Sequence, residues 1–76
     1  MKKAFVLIHT ELGKEDELKT ALKRIEGVVG VYLVYGVYDL LVVVEAETEE
    51  RLKSVVFSGI RQLDHLKSTL TLTVVS

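Results

Sequence analysis

Apolar residues fall into four short runs that lack a helical period and two stretches that carry one. Residues 3–10, centred on Ala4-Phe5-Val6-Leu7-Ile8, are β-branched and aromatic and predict a first strand. Glu11-Leu12-Gly13 breaks it. Leu18, Ala21, Leu22 and Ile25 then recur at i, i+3, i+4 and i+7, which predicts a helix over 14–25 with Gly27 as its C-cap. Residues 28–35 and 39–46 read as two strands joined by a turn at 36–38, where Gly36 can take a positive φ without steric cost. Thr48 is placed to cap a second helix with the stripe Leu52, Val55, Val56, Ile60 and Leu63. Gly59 lies on that stripe and would let the helix sit close to a sheet, while Phe57 falls off it, at a sheet edge or a contact. Residues 63–66 close this helix. Residues 68–75 then alternate Thr69, Thr71 and Thr73 with Leu70, Leu72 and Val74, a fourth strand. The order βαββαβ, with right-handed crossovers around a central hairpin, defines an α+β, ferredoxin-like sandwich. It places two helices on one face of a four-stranded antiparallel sheet, in a single domain over residues 1–76.

Two helices cover one sheet face, so the other face should be polar at alternate positions. It is not. Leu40-Leu41-Val42-Val43-Val44 is apolar on both faces, Phe5 and Leu7 lie opposite Ala4, Val6 and Ile8, and Tyr32 and Val34 lie opposite Val31, Leu33 and Tyr35. Left wet, such a face would be an apolar patch of the size monomers avoid. The expectation is an isologous dimer, sheet against sheet, which would also offset the small core that 76 residues can build.

Composition narrows the chemistry. Cysteine is absent, which removes disulfides and thiolate metal sites. A net charge of −1 gives no global field for nucleic acid or an anionic membrane. No apolar run approaches the ~18 residues that span a bilayer. The start of the chain, residues 1–9, has too short an apolar stretch and no cleavage site for a signal peptide, so the protein reads as cytoplasmic. Lys19, Lys23 and Arg24 on the first helix read as a solvated face rather than a basic patch.

His9, Asp39 and His65 are too few and too scattered for metal-ligand spacing, so no metal or cofactor is expected. Ser54, Ser58, Ser68 and Ser76 lack the setting of an activated nucleophile, and the five glycines are spread singly, without a phosphate loop. Neither a basic stripe with aromatics nor a helix-turn-helix pattern occurs. That leaves the turn. Asp39 is the only acidic residue between Glu26 and Glu45. Two readings stay open for it: a turn residue bonding to its own backbone, or a receptor for an ammonium ion beside backbone N–H groups that take a carboxylate. An amino acid is the smallest common ligand with both charges.

Several stretches, in order and at matching spacing, carry a resemblance. They are Ile25-Glu26-Gly27-Val28, the Gly-x-x-Asp turn in Gly36-Val37-Tyr38-Asp39-Leu40-Leu41, the 63–66 lead-in and Thr69-x-Thr71. Together they resemble the effector-binding (RAM) domain of the Lrp/AsnC transcriptional regulators over nearly the whole length. Those regulators carry an N-terminal helix-turn-helix that these residues lack, so the resemblance implies a stand-alone module without direct DNA binding. It also implies the sandwich fold, sheet-to-sheet dimers joined into octamers or similar rings, and an amino acid effector held between dimers. Carried onto this sequence, the effector contacts are Leu33, Gly36, Val37, Tyr38 and Asp39 near the turn and Leu72, Thr73 and Val74 on the last strand. Asp39 would hold the ammonium, and the turn N–H groups the carboxylate. A full-length regulator of the family is a further expected partner.

The resulting expectation is a non-enzymatic amino acid-sensing and assembly module. Two alternatives share the element order. A small dimeric monooxygenase or isomerase would use His9, Asp39 or His65, but needs a cavity between sheets. An ACT-type regulatory domain also binds amino acids, but pairs edge to edge.

Overall fold

Strand β1 (Lys2–Thr10) takes the centre of the sheet because its apolar run can pair on both sides. It runs antiparallel to β3 (Leu40–Ala46), from Lys2 opposite Ala46 to Ile8 opposite Leu40, and antiparallel to β4 (Leu66–Thr73), with Ala4 opposite Thr73. The remaining strand, β2 (Val28–Leu33), pairs with β3 alone, which gives the order β2-β3-β1-β4. With helices α1 (Glu15–Lys23) and α2 (Glu49–Ser54) between the strands, the chain has the expected βαββαβ, ferredoxin-like fold. The computed structural model describes residues 1–75; Ser76, set aside above as a nucleophile, lies outside them.

Local chemistry departs from expectation in several places. Helix α1 is shorter than 14–25, because Arg24 already occupies its C-cap. Gly27 is therefore not the cap; at φ +103° it turns the chain into β2, and the N–H of Glu45 donates to its carbonyl. The second helical stretch begins as foreseen, with Thr48 Oγ1 accepting from the N–H of Arg51 at 3.1 Å. It then widens into a π-helical turn, Val55–Gly59, and tightens into a 3-10 turn, Ile60–Gln62. Leu52, Val55, Val56 and Ile60 stay buried throughout. Gly59 serves a different neighbour than expected: a Cβ there would lie 3.2 Å from Ile25 Cγ2, so the close approach is to the α1–β2 connection rather than the sheet. Phe57 is half exposed, with the Arg61 guanidinium 5.1 Å from its ring centre. Finally, β2 stops at Leu33 and β3 starts at Leu40, so the connection spans 34–39, and β4 runs two residues earlier than 68–75.

The sheet has two contrasting faces. Ala4, Val6, Ile8, Leu40, Val42 and Val44 are fully buried under Leu18, Leu22, Leu52, Val55, Val56 and Ile60. On the opposite face Phe5, Leu7, Leu41 and Val43 are half-buried, and Tyr32, Leu70 and Leu72 are exposed. Strand β4 is inverted relative to a wet sheet. Its Thr69 and Thr71 pair with Ile8 and Val6 on the helix side, while Leu70 and Leu72 pair with Leu7 and Phe5 on the open side. Cross-strand polar pairs bound this open face: Lys3–Glu45 at 3.5 Å at one end and His9–Asp39 at 3.0 Å at the other.

Candidate functional site

The candidate site is the sheet end where β1 finishes and β3 begins. The 34–39 connection is closed by the Val34 N–H donating to the Asp39 carbonyl at 2.8 Å, and the Asp39 N–H donates to the Ile8 carbonyl, also at 2.8 Å. Gly36 sits at its tip with φ +137°. Tyr35 and Val37 project into solvent there, as does Leu12 from the β1–α1 connection at the same end.

The Asp39 side chain bonds away from its own turn. Its Oδ2 accepts from the Thr10 N–H at 3.0 Å, from Thr10 Oγ1 at 3.4 Å and from His9 Nδ1 at 3.0 Å. The carboxylate stands in for a strand acceptor just past the end of the β1–β3 ladder, whose last pair is Ile8 opposite Leu40. The local-turn reading of Asp39 is thereby corrected: its partners lie 29 and 30 residues away in the chain. None of these bonds uses Oδ1, and about a third of the side chain remains exposed. The Thr10 N–H holds the carboxyl below its ordinary range. Partial burial opposes that shift, and the His9 bond and charge add to it.

The eight expected contact residues divide. Leu33, Gly36, Val37, Tyr38 and Asp39 gather at this end. Leu72 lies opposite Phe5, Thr73 opposite Ala4, and the Val74 N–H donates to the Lys3 carbonyl, so these three sit at the other end of β1. From Ala4 to His9 is five residues of strand, roughly 16 Å. A single chain therefore does not join the two groups; only contact between copies could. Thr10 was missed from sequence. His9 was weighed only as a metal ligand or a catalytic candidate; the register that sets Ile8 opposite Leu40 brings it beside Asp39.

The second histidine lies elsewhere. His65, at φ +74°, has Nδ1 3.4 Å from Glu11 Oε1 and Nε2 3.1 Å from Glu17 Oε2, which ties the β1–α1 connection and α1 to the start of β4. Each nitrogen faces its own carboxylate, so the three do not converge on one point. Among the described residues no group of three or more His, Asp or Glu could hold a metal ion, and no helix is long and apolar enough to cross a membrane. An open groove of about 650 Å³ lies at the far end, lined by Glu26, Gly27, Val29, Glu45 and Arg51 among others, away from Asp39.

These features together are a ferredoxin-like sandwich with an anchored carboxylate at one end and an uncovered apolar face. Residues 3–76 match the family model described as "Lrp/AsnC ligand binding domain". The chain belongs to that family. Among solved structures, TTHA0845 from Thermus thermophilus is 36% identical with a TM-score of 0.93, covering 100% of this chain and 95% of that one. AsnC of E. coli shares the fold at 22% identity and TM-score 0.90, covering 99% of this chain; this chain spans about half (51%) of AsnC. The transcriptional regulator NMB0573 from Neisseria meningitidis, solved as an L-Met complex, shares the fold at 12% identity and TM-score 0.81, covering 99% of this chain and 50% of that one. No curated protein matches significantly. The chain is a regulatory, effector-binding domain of the Lrp/AsnC type.

Proposed function

We propose that the protein is a non-enzymatic amino acid sensor whose ligand state is coupled to its assembly in the cytoplasm. Two copies pack open face to open face. Dimers then meet through the 34–39 connection, bringing Leu33, Gly36, Val37, Tyr38 and Asp39 of one dimer near Leu72, Thr73 and Val74 of the next. Asp39 takes the α-ammonium, backbone N–H groups of the connection take the α-carboxylate, and the apolar residues select the side chain.

The observation that carries this reading is the Asp39 carboxylate, anchored through Oδ2 to β1 while about a third of its side chain stays exposed. Family membership supports it, as does the L-Met complex of the distant fold neighbour. Separation of the two residue groups within one chain supports a site shared between copies. A ligand that bridges dimers must shift their association, since binding and assembly are then linked. Mixed assembly with a full-length regulator of the family is the route by which such a module would reach transcription.

Native mass spectrometry with a panel of amino acids, on wild type and Asp39→Ala, tests the proposal. The expected result is a bound amino acid together with a change in oligomer size, both lost in the variant. Absence of binding by every member would sink the amino acid reading.

A further inference from the structure

We propose that His9 is a positioning residue for Asp39 whose protonation weakens capture of an ammonium-bearing effector; this rests on the function proposed above. A carboxylate only accepts, so His9 Nδ1, 3.0 Å from Asp39 Oδ2, must carry a proton in either charge state. In the neutral ring this fixes the tautomer. With Thr10 N–H on the same oxygen, His9 holds Oδ2 against β1, and Oδ1 takes part in none of these bonds.

The charge state then matters. Neutral His9 orients Asp39 and leaves its negative charge for the ligand. Protonated His9 places a cation on the same carboxylate that the ligand ammonium must approach. Two unit charges about 6 Å apart, at an effective dielectric between roughly 20 and 80, repel enough to weaken binding by about 3- to 100-fold. Histidine side chains as a class change charge between about pH 5 and 8, which sets the pair of pH values for the test. Other groups around His9 do not supply the same lever. Ser68 is its partner across β4, with exposed Lys67 beside it; Glu11, farther along the chain, is held by His65; Tyr38 precedes Asp39. Among the described residues Asp39 alone lies within ion-pair distance of His9.

The test is calorimetry with the twenty protein L-amino acids at pH 8.0 and pH 5.5, on wild type, His9→Asn, His9→Ala and His65→Asn. Asn keeps a neutral N–H donor near the position of Nδ1. Expected are binding at pH 8.0, a roughly tenfold loss at pH 5.5 in wild type and His65→Asn, and near pH-independent binding in His9→Asn. His9→Ala should bind more weakly than His9→Asn at pH 8.0. Binding in wild type with no pH dependence, or a dependence that survives in His9→Asn or vanishes in His65→Asn, overturns the role of His9 and leaves the sensor standing. No binding by any amino acid at pH 8.0 overturns both.

Discussion

Leu40 and Leu41 are adjacent on β3 and point to opposite faces of the sheet. Leu40 is wholly buried beneath the helices, in a layer with Ile8 and Val42, whereas Leu41 lies on the open face beside Leu7 and Tyr32 with only partial cover. The side chains are the same; what differs is who covers them. The helix face is completed by this chain, and its packing energy belongs to the folded monomer. The open face is equally apolar but has no element of its own to close it. The inverted strand β4 sharpens the contrast, since it spends its threonines on the helix side and its leucines on the open side. Such an arrangement fits the proposed sheet-to-sheet contact, in which a second copy covers the open face.

Truncation on the two faces should therefore act on different equilibria. Leu40→Ala removes fully buried volume and is expected to cost about 2–5 kcal/mol of stability, read by urea unfolding at fixed protein concentration. In so small a domain that approaches the whole margin. Leu41→Lys leaves the helix-covered core intact but sets an ammonium into the expected sheet-to-sheet contact. Its self-association constant should fall roughly 100-fold or more, measured by sedimentation equilibrium. Wild-type unfolding midpoints should rise with protein concentration, and those of the variant should not. If Leu41→Lys associates as wild type does, the open face is not the dimer surface, and the contrast between the faces loses its meaning.

How much of this was legible in the sequence depends on the range of the interactions. Strand and helix placement follows from local periodicity, and the two-faced apolarity of β3 could be read directly from Leu40 to Val44. The π-helical turn at Val55–Gly59 could not, because the stripe through Leu52, Val55, Val56 and Ile60 keeps an α-helical spacing. Gly27 and Gly59 were assigned to a cap and a sheet contact by rules that see only neighbours, but their close partners are Val55 and Ile25, across the fold. Asp39 shows the same limit more sharply. Turn chemistry offers a carboxylate its own backbone, while the folded chain supplies Thr10 from another strand. Only the strand register could have exposed that, and register is fixed by tertiary packing.

The glycines give a medium-sized test of where the folded monomer is tight. A Cβ on Gly27 would lie 2.8 Å from Val55 Cγ2, on a backbone at φ +103°. Gly27→Ala should cost about 1–3 kcal/mol from backbone strain, with the clash added. Gly36 also has a positive φ, +137°, but a Cβ there meets nothing within 4 Å. Gly36→Ala should therefore show strain alone and the smaller loss of the two by thermal unfolding. Equal losses would mean that the helix-side seam at Val55 yields freely.

The smallest effect concerns the charge at the edge of the open face. The Asp39 carboxyl is held below the ordinary ~3.9, first by the Thr10 N–H and then by His9, against the pull of partial burial. Folding therefore favours the ionised form. The stability this contributes is present above pH ~3.9 and is lost as pH falls through the lower folded value. Wild type should be modestly more stable than Asp39→Asn at pH 6, and the two should converge in strong acid, where the native carboxyl is protonated. Because the Thr10 bond is the larger cause, His9→Asn should keep most of this difference from its own Asp39→Asn double variant. All the bonds lie within one chain, so without an effector the difference should not change with protein concentration, unlike the effect of Leu41→Lys. A concentration-dependent acid limb without added amino acid would mean that dimers already meet at Asp39 before an effector binds, and would move the boundary between the two faces past the end of the sheet.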